Sequence, residues 1–415
     1  MLLSRRTVMA GSVALAACAT RQPEMSYISG ARIIPAPGAE AIEGGAIVIR
    51  DGRIADILTG ADAPAEARRI GDATVLAGFW NSHVHALTPE LLHAERKPDA
   101  ELSAILTGMF TRWGFTTVFD IASLLANTNT IRQRIRSGAV SGPNILTTGE
   151  PFFPPGGTPI YIRDFLASEN LSVPETTTAV EAAARAERQI AQGADAVKIF
   201  AGSIVGGDIG VLPMPLDIAS AVADVAHRAG KPVFAHPSNR TGLDVAINSG
   251  VDILAHTASM SGPWEAAFVA RLVQQRISLV PTLTLFEVEA QRFSEGAELT
   301  AQIMATIKQQ VGAYRSGGGD ILFGTDVGYI DVVDTTREYQ LLAEAGMDFP
   351  AVLASLTTAP AARFGFSQNK GRIARGMDAD LVIIEGDPRT DLSALARVQH
   401  TIRGGVIVFD AVQHG

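Results

Sequence analysis

The sequence predicts an α/β fold, a (β/α)8 TIM barrel joined to a small composite β-domain that both ends of the chain build. Three observations carry that prediction. Short β-branched or aromatic runs alternate with Ala-rich helical stretches through the middle of the chain, eight such runs can be distinguished, and further strand-like runs stand before and after them. Near-continuous apolar strands separated by helices imply parallel pairing, and eight regular units favour closure over an open sheet. The 415 residues suit this arrangement, since a barrel of this kind takes about 250 residues before insertions.

Barrel strands are expected at Val75–His85, Phe115–Phe119, Asn144–Thr147, Ala196–Phe200, Pro232–His236, Asp252–His256, Ser278–Pro281 and Ile321–Asp326. Helical periodicity separates them, for example over Thr176–Gln192, Pro215–Ala229, Trp264–Gln275 and Ala297–Tyr314. Outside the barrel, Ala46–Leu58 alternates around Asp51-Gly52, a residue pair suited to a type I′ hairpin. Asp380–Ile384 and Thr401–Phe409 read as strands, the second broken by the turn pair Gly404-Gly405. The expected organisation is an export signal over 1–18, a composite β-domain from 26–75 plus 366–415, and the barrel over 76–365.

Hydrophobic residues make up 47% of the chain and charged residues 19%, a composition that fills a large core and is unlike a disordered chain. The net charge is −9 and no Lys/Arg-rich run lies in the body, which argues against a nucleic-acid partner. At the N-terminus, Ser4-Arg5-Arg6 precedes an apolar stretch from Val8 to Ala17 and then the only cysteine, Cys18. That stretch is shorter than the roughly 20 residues a spanning helix needs, so it reads as an export signal. Ser4-Arg5-Arg6-Thr7 resembles a twin-arginine signal, and Leu15-Ala16-Ala17-Cys18 a bacterial lipobox whose cysteine carries lipid. An ordinary signal peptide with an incidental cysteine is the alternative. The expected location is the bacterial periplasm or a membrane-anchored lipoprotein, with membrane contact confined to the anchor at Cys18. A lone cysteine allows no intrachain disulfide.

Four of the eight histidines, His83, His85, His236 and His256, fall at the C-terminal ends of predicted strands, the face on which barrel enzymes place their active sites. His83 and His85 are two apart on one strand, so their side chains share a side and can chelate one divalent ion. Asp326 ends the eighth strand, which closes the barrel beside the first, so its carboxylate can reach that ion. His236 and His256 end the fifth and sixth strands on the opposite rim. Lys198 lies inside an apolar fourth strand, where burial disfavours the ammonium. A neutral amine there can capture CO2 as a carbamate, whose two oxygens can bridge two metal ions.

The remaining titratable residues have weaker settings. His93, His227, His400 and His414 are unassigned. Asp120 ends the second strand as either a pocket residue or a structural cap, and Asp195 is expected in a turn. Tyr161, Arg163, Asn239 and Tyr329 lie in loops beyond strand ends and are candidate substrate-binding residues. A tyrosine there can polarise a carbonyl, and an arginine can hold a carboxylate.

The motifs Leu76-Ala77-Gly78-Phe79-Trp80-Asn81-Ser82-His83-Val84-His85, Gly193-Ala194-Asp195-Ala196-Val197-Lys198, Ala235-His236-Pro237, Ala255-His256 and Gly324-Thr325-Asp326 together resemble the amidohydrolase superfamily. The similarity is to the binuclear branch with a carboxylated bridging lysine, in which imidazolonepropionase-like and Xaa-Pro dipeptidase-like enzymes are the nearest types. The tail from Gly371 to Val382 is similar to the stretch that returns the chain to the β-domain in that superfamily. The family often has Pro-Gly, and an Asp two residues before the first histidine, where this chain has Ala77-Gly78 and Asn81.

The resemblance implies two divalent metal ions, zinc first, with manganese, iron or cobalt as alternatives. His83, His85 and Asp326 would hold the more buried ion, His236 and His256 the more exposed one, and carboxylated Lys198 would bridge them. A metal-bridging hydroxide would attack an amide or related C–N bond of a small molecule, for instance a dipeptide or N-acyl amino acid, with Asp326 shuttling the proton. Two rival functions stand beside this one. A mononuclear deaminase or imidazolonepropionase-type ring hydrolase is disfavoured because Pro237-Ser238-Asn239, without a glutamate, follows His236. A non-catalytic metal-binding scaffold is disfavoured because all six ligand positions are filled. Oligomeric state is left open, a homo-oligomer included.

Overall fold

The computed structural model describes residues 25–59, 68–69, 73–293 and 296–411; the expected export signal with Cys18, and His414, lie outside the described residues. Among the described residues no helix is long and apolar enough to cross a membrane.

The run expected as one first strand, Val75–His85, is two strands that serve different sheets. Ala73–Ala77 belongs to an outer sheet and Phe79–Val84 opens the barrel. The chain turns between them at Gly78, whose N–H donates to the Asp380 carbonyl at 2.8 Å. A Cβ at Gly78 would lie 2.3 Å from Thr116 Oγ1, so only glycine passes without displacing a neighbour. Apolar character alone could not reveal the break, because both halves are fully buried.

The outer sheet draws on both ends of the chain. Its strand order is Val406–Asp410, Val398–Arg403, Leu381–Glu385, Ala73–Ala77, Met25–Ile33, Ile42–Arg50, Arg53–Leu58, with Arg68–Arg69 beside Met25–Ile33. Leu381–Glu385 pairs antiparallel with Ala73–Ala77, so the late strands join the early ones at the centre. The hairpin expected around Asp51-Gly52 is present, with positive φ at both residues, 52° and 74°, as a type I′ turn requires. Gly404-Gly405 likewise separates two strands with φ of 56° and 79°. Ile33, Ile47, Val75, Leu381 and Ile383 pack together as this sheet's own core.

In the barrel, Phe79–Val84, Phe115–Asp120 and Asn144–Thr147 pair in parallel. Val197–Phe200, Val233–His236, Ile253–Leu254 and Ser278–Leu279 form a second parallel set. Hydrogen bonds close the circuit on both sides. Asp195 N donates to the Thr147 carbonyl at 2.7 Å, and Phe152 is inserted against the fourth strand, its N–H on the Lys198 carbonyl at 2.8 Å. On the other side, Leu322 N reaches the Leu279 carbonyl at 2.8 Å and Ser82 N the Phe323 carbonyl at 2.7 Å. The eighth segment, Ile321–Asp326, expected as a strand, is extended chain held by such single contacts rather than a regular strand, yet it joins the seventh strand to the first, and the fold is a (β/α)8 barrel.

Inside the barrel, Phe119, Ala196, Phe234, Ile253, Val280 and Leu322 form one packed apolar layer. Side chains two residues further along a strand point the same way. Lys198 follows Ala196 and His236 follows Phe234 by that spacing, so both stand on top of the layer, at the C-terminal mouth. The packing below fixes where the chemistry sits.

The observed helices Ala179–Ala191, Leu216–Arg228, Ala266–Gln274 and Ala297–Ser316 match the expected periodic stretches closely. Two elements by the mouth had no expectation in the sequence: a hairpin of Gly202–Gly206 with Gly210–Pro213, and a helix over Leu283–Phe293. The hairpin is short and glycine-rich, which leaves no periodic signal. The helix is rich in branched and aromatic residues and is anchored from a distance. Glu338 accepts the N–H groups of Leu283 and Thr284 at 2.9 and 2.7 Å and the Thr284 hydroxyl at 2.7 Å, satisfying donors that a helix start leaves open.

Two stability predictions follow from these contacts. Gly78→Ala should cost about 1–3 kcal/mol in urea unfolding by overpacking, and adding Thr116→Ala should recover part of that loss in a double-mutant cycle. Burial pushes the Glu338 carboxyl up to about 7 against the pull of its three hydrogen bonds. Its native pKa exceeds its unfolded value, so the native state binds the extra proton and stability falls as pH rises from the ordinary carboxylate range through about 7. Relative to Glu338→Gln, the wild type should therefore lose roughly 1–3 kcal/mol between pH 4.5 and 7.5, read from denaturation midpoints; parallel curves for the two proteins would refute it.

Candidate metal centre

Proton bookkeeping defines the heart of the mouth. His83 is fully buried and its Nδ1 lies 2.7 Å from the Ala255 carbonyl. His85 Nδ1 lies 3.2 Å from the Ala122 carbonyl. A carbonyl only accepts, so each ring carries its proton on Nδ1 and presents a bare lone pair at Nε2. Those two Nε2 atoms are 3.3 Å apart. Asp326 Oδ1 lies 2.8 Å from one and 3.3 Å from the other, yet it is buried without a hydrogen-bond partner. Three electron-pair donors with no proton among them surround one point, an arrangement suited to a cation and repulsive without one.

The other candidates gather around this triad. His256 Nδ1 is 2.8 Å from Thr282 Oγ1 and 3.7 Å from Asp326 Oδ2. Its ring is 4.4 Å from that of His83 and 4.6 Å from that of His236, centre to centre. His236 stacks on Phe200 at 4.7 Å with the planes 14° apart. His83, His256 and Asp326 also offer ligand atoms within 4.8 Å of one another. Lys198 is buried in the same cavity wall, its Nζ 5.4 Å from the centre of the Phe200 ring. Among the described residues its ammonium forms no salt bridge within 4.0 Å. The sequence's six ligand candidates are thus brought to one place.

Electrostatics agree with that geometry. Burial holds His83 down at about 4 and keeps His236 and His256 well below the usual histidine range, so these rings are neutral. Burial also presses Asp326 upward, yet beside the His83 and His85 rings its carboxyl is held well below the usual carboxylate range. Desolvation lowers Lys198 to about 7, with Asp326 opposing, so a substantial fraction is neutral amine. Neutral imidazoles, a carboxylate and a deprotonatable amine form a donor set that fits divalent metal ions.

Local backbone makes the convergence possible. Ser238, Thr282 and Asp326 all adopt positive φ, 53°, 50° and 62°, just past the fifth and seventh strands and at the end of the eighth segment. Such conformations are costly for non-glycine residues and concentrate at functional sites. A Cβ at Gly324 would come within 2.8 Å of His83 Cβ, and one at Gly328 within 2.1 Å of the His85 carbonyl oxygen. Asn81 fills the position where the resemblance led one to expect Asp. Its Oδ1 accepts from His83 N at 3.2 Å and Thr325 N at 3.3 Å, and its amide donates to Thr325 Oγ1 at 2.7 Å. It stitches the strand bearing His83 to the segment bearing Asp326.

Asp120 resolves as a structural acceptor. It is fully buried, takes the N–H of Ala86 at 3.0 Å and the hydroxyls of Thr128 and Thr147 at 2.9 and 3.2 Å, and also bonds Ser123. Asp195 ties the turn before the fourth strand to Thr147 and Arg132.

A cavity of about 1000 Å³ opens above the cluster. Of the four substrate-binding candidates, Tyr161 and Tyr329 line it, with their rings edge to face at 5.1 Å. Arg163 and Asn239 are not among its lining residues. Arg163 turns its Nε onto the Thr158 carbonyl at 3.1 Å. Asn239 caps the helix Arg240–Asn248, accepting from Gly242 N at 2.9 Å, so its placement at a helix start explains its side-chain direction. Several supporting residues escaped the sequence reading: Thr282, Glu289, Arg292 and Glu338. Only Thr282 had a local cue, standing directly after the Pro281 that ends the seventh strand.

Residues 74–408 match the family model described as the amidohydrolase family. The chain resembles a solved Xaa-Pro dipeptidase with methionine bound in its active site, at TM-score 0.77 and 22% identity, covering 92% of this chain and 99% of the other. An ochratoxinase from A. niger gives TM-score 0.76 at 19% identity over 94% and 96% of the two chains. A molinate hydrolase gives 0.76 at 20% over 93% and 94%. Likenesses this distant in sequence establish the fold. No curated protein sequence matches the chain significantly.

If Asn81 positions the ligands, Asn81→Ala should fold normally but bind Zn2+ about 10–100-fold more weakly in a chelator-competition titration. Unchanged affinity would reduce Asn81 to a structural tie.

Proposed function

We propose, because the chain belongs to the amidohydrolase family, that its mouth cluster holds two divalent metal ions and hydrolyses an amide or related C–N bond of a small molecule. The observation that carries this reading is the contact of His83 Nε2, His85 Nε2 and Asp326 Oδ1 with no proton to share. His83, His85 and Asp326 would hold one ion and His236 and His256 the other. Lys198 would bridge them as its carbamate. Its neutral amine attacks the carbon of CO2, an N–C bond forms, and one proton leaves to solvent, giving an anion with two donor oxygens. Zinc fits the imidazole and carboxylate set best. When bound, the ions would supply Lewis-acid polarisation of the scissile carbonyl and a lowered pKa for the attacking water.

The chain's own residues then divide the remaining work. Asp326 is the carboxylate at the floor of the cavity, placed to accept the proton that the attacking water loses and to return it to the leaving nitrogen. Tyr161 and Tyr329 stand on the cavity wall and orient the substrate from one side. The apolar layer beneath, Phe119 and Phe234 included, closes the floor to bulk water. A single-ion reading has one observation in its favour, the compact His83–His256–Asp326 group.

The test is a hydrolysis screen over amides, dipeptides and N-acyl amino acids, on protein reconstituted with Zn2+ and bicarbonate, with metal counted by elemental analysis. Two ions per chain and chelator-sensitive turnover are expected, and one firmly held ion would favour the mononuclear alternative. Asp326→Asn should lower kcat by about 10²–10⁴-fold. A variant that keeps its metal and most of its turnover would remove Asp326 from the proton transfer.

A further inference from the structure

The cavity is larger and more apolar than a site for a free dipeptide requires. Its volume of about 1000 Å³ stands at the upper end of the roughly 300–1,000 Å³ that encloses drug-sized ligands. Phe153, Phe165, Leu166, Leu285, Phe286 and Ile303 all line it. Met260 and Leu299 carry the same character out to the mouth, where they are 59% and 48% exposed. Single exposed apolar residues are ordinary, but two on the rim of one apolar cavity extend a surface on which an apolar ligand gains by leaving water.

Charge in the cavity points the same way. Apart from the metal-cluster residues, its lining includes three charged side chains, Glu150, Glu289 and Arg292. Glu150 accepts the N–H of Leu125 at 3.2 Å. Arg292 lies 3.4 Å from Glu289 Oε1, which also takes the Tyr329 hydroxyl at 3.3 Å. A substrate carboxylate at Arg292 would share that guanidinium with the carboxyl group of Glu289. Arg163, the sequence's candidate for holding a carboxylate, is turned onto Thr158 instead.

The geometry points to an uncharged, predominantly apolar amide as the substrate, with a long-chain or polycyclic group lying among these apolar side chains and its carbonyl at the cluster. This narrows the amide-hydrolase reading above and rests on it. The amine it releases would lack the free carboxylate that a dipeptide or N-acyl amino acid carries.

Two readouts on the zinc-loaded full chain separate the inference from the reading it rests on. The first needs no chemistry: displacement of the uncharged dye Nile red by methyl ketones of six to fourteen carbons. Affinity should rise roughly fourfold per methylene, in line with the transfer free energy of a CH2 group. The second compares p-nitroanilides of acetate and decanoate with N-decanoylglycine. The decanoyl anilide should exceed the acetyl anilide at least 100-fold in kcat/KM, and should also exceed N-decanoylglycine. Ile303→Asp should shrink the chain-length gain in both readouts, with Leu299→Asp at the exposed mouth as the variant less costly to folding. Turnover without chain-length dependence, or a preference for the carboxylate-bearing substrate, overturns the inference and leaves amide hydrolysis standing. Graded dye displacement without turnover of any amide leaves the apolar site standing and overturns amide hydrolysis.

Discussion

Two imidazole nitrogens stripped of protons face each other at 3.3 Å in the barrel mouth, with a carboxylate oxygen closing the triangle. Much of the surrounding structure exists to hold that arrangement against its own repulsion. The carbonyls of Ala255 and Ala122 fix the tautomers of His83 and His85, and they belong to the sixth strand's end and the loop after the second. Asn81 ties the first strand to the eighth segment, while Gly324 and Gly328 let that segment lie against the two histidines. Left-handed backbone at Asp326 then swings its carboxylate inward. Barrel closure is the precondition for all of it, because the triad is drawn from the first and last segments of the ring.

The layer below the mouth sets the rest of the centre. Ala196 and Phe234 pack in the barrel interior, and the two-residue repeat of a strand delivers Lys198 and His236 above them without any further device. A lysine so placed has lost water and has gained no salt bridge among the described residues, which is why its proton is loosely held. The outer sheet contributes indirectly. Leu381–Glu385 pairs with Ala73–Ala77, and that pairing delivers the chain to Gly78 and so to the start of the first barrel strand.

Above the centre, elements that vary in kind make the cavity: the helix Leu283–Phe293, the start of the long helix Ala297–Ser316, and the loop around Tyr161. Leu283, Met304 and Ile307 of these helices join the main apolar core, while Leu285, Phe286, Leu299 and Ile303 line the cavity. The anchoring of Leu283 and Thr284 by Glu338, far along the chain, couples the position of this cover to the packing of the last third of the barrel.

Much of this was legible in the sequence because it is local. Strand and helix periodicities are written in neighbouring residues, as are the turn pairs Asp51-Gly52 and Gly404-Gly405, and a histidine at a strand end announces which rim it faces. So the barrel, the two-ended outer sheet and the six converging side chains could be read from the chain alone. The division of Val75–His85 into two strands could not, since its cause is the clearance between Gly78 and Thr116. Nor could the directions of Arg163 and Asn239, which are set by a carbonyl and a helix start, or the pairing of Arg292 with Glu289. Sequence determined which chemical groups reach the mouth; only the tertiary structure decided what surrounds them, because a side chain's direction and a cavity's lining depend on contacts between residues far apart in the chain.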